Sequence, residues 1–196
     1  LMGKKVAAKA FDDRACIATV TACLDALQGM HHTWDVYATA TVQEESGLYG
    51  ATTAAYHINP DIGIALDVTF AEQPGVNGGD ARKMGDGPVI SHGPNFHIKL
   101  VEKLTETAKS QEIKLQTDTI SGASGTDAWA IQVARSGIPT ALLSIPLRNM
   151  HSPVETLDMA DIERGGRLLA SFIAGLDAGF LATIDWDELK AEGEEA

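Results

Sequence analysis

Short apolar runs bounded by Gly, Pro or Asp alternate along this chain with longer stretches of helical period. No other feature narrows the possible folds as much. "VAAKAF" (6–11), "WDVYATATVQ" (34–43), "DIGIALDVTF" (61–70), "IKLQTDT" (113–119) and "PTALLSIP" (139–146) read as strands. Between them, "DDRACIATVTACLDALQ" carries apolar residues at 17, 20, 24 and 27, and "FHIKLVEKLTETAK" puts Phe96, Leu100, Val101, Leu104 and Ala108 on one side. "LYGATTAAYHI", "GTDAWAIQVARSG" and "LDMADIERGGRLLASFIAGL" also read as helices, and residues 71–87 as a Gly-rich loop. The alternation predicts an α/β class with a mostly parallel sheet sandwiched by helices. The 196 residues suit one domain, expected over 1–184, with "DWDELKAEGEEA" (185–196) as an acidic C-terminal tail.

Charge and cysteine usage remove several classes of function. A net charge of −12 lacks the basic stripe a nucleic-acid partner requires. No apolar run of about 18 residues is present, so no membrane span is expected. Cys16 and Cys23 lie seven positions apart on one expected helix, which separates their Cα atoms by roughly 10 Å, too far for a disulfide. Free, buried cysteines suit a reducing, cytoplasmic location.

In parallel α/β sheets, ligands bind outside the carboxyl ends of the strands. Acidic residues sit at those ends here. Asp12 and Asp13 follow the first expected strand, Glu44 and Glu45 the second, and Asp67 lies near the end of the third; His151 follows "TALLSIP". Taken singly, each has a plain structural explanation: a helix cap, an exposed strand end, a turn, a hydrogen-bonded histidine. Gathered at one sheet edge, the carboxylates would repel one another unless a cation neutralised them. Oxygen and nitrogen donors of this kind suit zinc, cobalt or manganese.

The motifs "AFDDRAC", "TVQEESGLYGA", "ALDVT", "SGASGTDAWAI" and "IPLRNMHSPVE", in that order, resemble the M42 metallo-aminopeptidases. These are relatives of the M28 zinc aminopeptidases and include glutamyl and deblocking aminopeptidases, some with an older cellulase or endoglucanase label. The resemblance implies an aminopeptidase that uses two divalent metal ions and acts on short peptides. In it Glu44 would be the general base, Asp13 the bridging ligand in preference to Asp12, and Glu45, Asp67 and His151 the remaining ligands. Thr126 and Asp127 match a segment near the substrate pocket.

The resemblance also implies a histidine ligand on an earlier strand and an inserted oligomerisation domain, neither of which this sequence contains. The chain is therefore expected to be the C-terminal part of a catalytic domain, acting as a homo-oligomer or as the complement of an N-terminal segment, with a weak second metal site. A truncated, inactive paralogue or partner subunit with a degenerate metal site is the alternative. A glycosidase is disfavoured, because adjacent Glu44 and Glu45 cannot flank a sugar bond from opposite sides.

Overall fold

A computed structural model describes residues 1, 3–76, 79 and 81–184. The acidic tail at 185–196 lies outside the described residues, as does part of the Gly-rich loop. The elements run β1 (Lys5–Ala8), α1 (Phe11–Leu27), α2 (Glu44–Gly47), α3 (Tyr49–Ile58), β2 (Gly63–Phe70), β3 (Val89–His92), α4 (Ile98–Ser110), β4 (Gln116–Thr119), α5 (Asp127–Ile131), β5 (Thr140–Arg148), β6 (Glu155–Asp158), α6 (Met159–Ala174) and α7 (Phe180–Ile184).

The α/β class stands, but the sheet is mixed rather than mostly parallel. β2 runs parallel to β5 and β3 parallel to β4, whereas β3 and β6 meet β5, and β1 meets β6, antiparallel. β3 and β6 are four residues each, too short for an alternating pattern to show, and they are the strands the sequence reading lacks. β5 is the central strand, buried from Thr140 through Leu147, as its largely apolar run requires.

α1 buries Ala15, Cys16, Thr19, Cys23 and Leu27 and leaves Ile17 and Leu24 exposed, so its buried face is rotated from the 17/20/24/27 stripe. The cause is the close approach of α6. A Cβ added at Gly166 would lie 2.6 Å from the Ala22 Cβ, and one at Gly165 2.9 Å from the Thr19 methyl. Only a face of small residues on α1 fits against such a helix. α4 buries the expected residues, including Leu100, Val101, Leu104 and Ala108. Together α1, α4 and α6 close the main core over Ile90, Leu142 and Leu143.

The loop before β3 hangs on α6. Asp161 is fully buried and accepts from the backbone N–H of Gly85 (2.7 Å) and Gly87 (2.8 Å). Gly87 has φ +102°, and a Cβ there would fall 1.9 Å from the Lys114 carbonyl, so only glycine fits. Residues 34–43, expected as a strand, are in no strand. Residues 35–41 make no backbone–backbone hydrogen bond among the described residues, and a strand without a partner has no ladder to hold it. Glu44 and Glu45 accordingly open the short helix α2 rather than ending a strand.

Candidate metal centre

Asp12 and Asp13 lie at the junction of β1 and α1, where Ala10 is left-handed (φ 55°) and both aspartates depart from helical geometry; the peptide bond between them is cis. His151 sits in the turn between β5 and β6 with φ 60°. One buried carboxylate ties the two segments together. Glu155, 2% exposed, accepts from the backbone N–H of Phe11 (2.6 Å) and Asp12 (3.1 Å) through Oε2, and from His151 N–H (2.9 Å) through Oε1. Three charge-assisted bonds thus fix the backbone beneath two candidate ligands.

Above this clamp, His151 Nε2 lies 3.0 Å from Asp12 Oδ2 and 3.7 Å from Glu45 Oε2. Asp12, Glu45 and His151 offer ligand atoms within 4.8 Å of one another, and so do Asp12, Asp13 and Asp67. Asp12 is common to both groups. The structure therefore gives the shared position to the first aspartate of the pair, to which the sequence reading gave the lesser part. Asp13 belongs to one group only and turns Oδ1 toward the Cys16 N–H (3.3 Å). Asp67 Oδ1 accepts from Val68 N–H at 2.7 Å. Glu44 belongs to neither group and is half-buried beside them.

The electrostatics are those of crowded acids. Burial raises Asp67 to about 9, with Asp13, Glu44 and Asp12 adding to the rise. Asp13 rises to about 7, again through burial first. Glu44 also reaches about 7, through burial and then the charges of Asp127, Glu45 and Asp12. Asp12 is raised by burial and Glu45, against the opposing pull of His151. Four acids that resist ionisation at one spot form a site that a cation would relieve. The donor set fits a divalent metal: carboxylate oxygens with one imidazole nitrogen in the first group, carboxylates alone in the second.

Thr126 precedes α5 and is buried, while Asp127 opens that helix. Asp127 Oδ2 accepts from Thr41 Oγ1 at 2.5 Å, tying α5 to the segment that leads into Glu44, and its Oδ1 is buried without a hydrogen-bond partner among the described residues. The structure thus brings Asp12, Asp13, Glu44, Glu45, Asp67, Asp127 and His151 to one corner, with Thr126 at its margin. Sequence reasoning missed Glu155. It stands in the quoted "HSPVE", four residues after His151, a spacing that on its own gives no hint of a carboxylate reaching back under two loops.

The family model for M42 glutamyl aminopeptidases matches residues 1–168. The lysyl aminopeptidase of Pyrococcus furiosus is 43% identical over 165 residues, covering 84% of this chain and 47% of that protein. Among solved structures, a TET aminopeptidase from a marine sediment thaumarchaeote superposes with a TM-score of 0.85 at 35% identity, covering 94% of this chain and 53% of that one. The TET1 peptidase of Pyrococcus horikoshii, described as assembling into a tetrahedron or a large octahedral shell, gives a TM-score of 0.71 at 31% identity over 90% of this chain and 52% of its own. The chain spans about half the length of the curated relatives it matches.

Proposed function

The chain belongs to the M42 glutamyl aminopeptidase family, and from that premise we propose that it carries the general base and most of the metal ligands of a metal-dependent aminopeptidase acting on the N-termini of short peptides. The observation that carries this reading is the meeting of Asp12, Glu45 and His151 at one point, with Asp67 and Asp13 beside it and Glu44 outside the ligand groups. Asp12, Glu45 and His151 would hold one cation, Asp12 bridging to a second at Asp13 and Asp67. The second group contains no nitrogen donor and would hold its cation more weakly. A bound divalent cation supplies Lewis-acid polarisation of a carbonyl and acidifies coordinated water.

The protein's own groups account for the rest. Glu44, held at about 7 by burial and by Asp127, can take a proton near neutrality and return it to a leaving amine. Glu155 keeps Asp12 and His151 in register by holding their backbone, so that neither carboxylate nor imidazole has to be ordered on binding. The acidic wall of Glu45 and Asp127 attracts the ammonium of a peptide N-terminus. Glu44 and Glu45, neighbours in one helical turn, do not bracket a sugar bond from two sides, which disfavours the glycosidase. No helix among the described residues is long and apolar enough to cross a membrane. The two cysteines are free and buried, which supports a cytoplasmic setting, and the TET relatives support homo-oligomers.

Hydrolysis of lysyl- and glutamyl-p-nitroanilides, with zinc or cobalt added and then removed by chelator, tests the activity. Turnover that follows the metal and disappears in Glu44→Gln is expected. No turnover at saturating metal, with the metal nevertheless bound, would favour the rival reading of a partner subunit.

A further inference from the structure

The junction between β1 and α1 aims two candidate metal ligands, and it does so through a residue whose backbone is strained. Ala10 sits at φ 55° and ψ 44°, a left-handed geometry that its Cβ disfavours. Those two angles set how the peptide groups on either side of its Cα lie, the one from Lys9 to Ala10 and the one from Ala10 to Phe11. If either group turns, the backbone entering Asp12 turns with it. The carboxylate common to both ligand groups then points elsewhere.

Glu155 holds this junction from one side only. It accepts from the N–H groups of Phe11 and Asp12, which leaves the oxygen of the Ala10–Phe11 peptide and the whole Lys9–Ala10 peptide to other partners. Those oxygens fall to Arg14. Its Nε–H donates to Ala10 O at 2.7 Å, and its Nη2 donates to Lys9 O. One planar guanidinium thus spans the carbonyls of both peptides that flank the left-handed residue. The Ala10–Phe11 peptide is gripped at both ends, its N–H by a carboxylate and its C=O by a guanidinium. Arg14 makes no ion pair among the described residues, so these carbonyls are what its side chain binds.

We propose that Arg14 is a positioning residue for the metal centre: its fork fixes the backbone of Ala10 and so, together with Glu155, the aim of the Asp12 carboxylate. The role rests on the metal-centre part of the proposed function and needs no turnover to be tested. Lys9, Ala10 and Arg14 are all exposed, so without the guanidinium the two carbonyls exchange it for water. The fold loses little by that exchange, and the consequence falls on where Asp12 points. Charge alone predicts the opposite sign. A guanidinium near a cation site repels the metal, so an Arg14 that acted only through its charge would, on deletion, leave a tighter site.

The test is calorimetric zinc titration of the chain and its variants, with amide hydrogen exchange of the metal-free proteins as a second readout. Arg14→Ala should bind zinc about 10- to 100-fold more weakly, the range for partners that orient a metal ligand. Its Phe11 and Asp12 amides should exchange faster, while its unfolding temperature in chelator moves little. Arg14→Lys keeps the charge but loses the planar fork, and should fall between Arg14→Ala and the wild type. Arg167→Ala, which removes an exposed charge from α6, should bind zinc as the wild type does. Unchanged or tighter zinc binding in Arg14→Ala overturns the proposal, as does a weakening that Arg167→Ala shares, or equal exchange at Phe11 and Asp12. Should Arg14→Ala fail to fold, Arg14→Lys decides, and wild-type affinity there overturns the proposal. A wild-type chain that binds no zinc refutes the metal reading and Arg14's role with it, a failure distinct from one in which wild type and variants bind alike.

Discussion

Replacing Asp67 by asparagine should stabilise the metal-free protein at neutral pH while weakening its metal site. Burial holds the Asp67 carboxyl at about 9, against an ordinary value of 3.8. Between those limits the unfolded chain is ionised at this position and the folded one is still protonated. Folding therefore takes up a proton, and stability falls by about 1.4 kcal/mol for each pH unit gained. From 3.8 to 7 the loss amounts to about 4 kcal/mol, a large share of the stability of a domain this size. Asparagine cannot ionise, matches the shape, and keeps an oxygen to accept from Val68 N–H. Urea unfolding in excess chelator at half-unit steps from pH 5 to 8 measures the difference. The wild type should lose stability more steeply than Asp67→Asn, the gap widening by about 1.4 kcal/mol per unit. Parallel curves would refute the claim that Asp67 is held protonated by its surroundings.

Other substitutions probe the remaining elements of the account. Glu155→Gln leaves at least one of the Phe11, Asp12 and His151 N–H groups without its acceptor, so thermal unfolding should show a loss of about 1–3 kcal/mol, and calorimetric zinc titration a weaker site. Glu44→Gln should leave zinc affinity nearly unchanged while p-nitroanilide turnover falls by about 10²–10⁴-fold. Gly166→Leu forces a side chain into the Ala22 methyl and should cost about 1–3 kcal/mol in chemical denaturation, with no specific effect on metal binding. Thr41→Val removes the only donor that Asp127 Oδ2 has among the described residues, and should lower stability by about 1 kcal/mol while slowing turnover more than it raises KM.

What could be read in advance follows from which interactions are local. α4 was legible because Leu100, Val101, Leu104 and Ala108 recur at helical spacing and turn inward. The approach of Asp67 and His151 to the same aspartate, Asp12, was legible because β2 and β5 are parallel neighbours, which brings the carboxyl-terminal halves of the two strands to one edge of the sheet. Residues 34–43 misled because alternation shows a capacity for pairing, and pairing also needs a neighbour that these residues do not contain. The rotation of α1 had its cause in Gly165 and Gly166, more than 140 positions away in sequence. Asp12 and Asp13 could not be ranked from spacing: adjacent carboxylates differ only in where the local backbone aims them, and that backbone is set by Glu155.

A metal-dependent activity requires that this acidic corner bind a cation. Zinc soaked into crystals of the chain and located by anomalous scattering at the zinc edge addresses that directly. A peak about 2.0–2.2 Å from carboxylate oxygens of Asp12 and Glu45 and from a ring nitrogen of His151 is the predicted result. No peak at saturating zinc, or one bound by other residues with these three left apart, would contradict it.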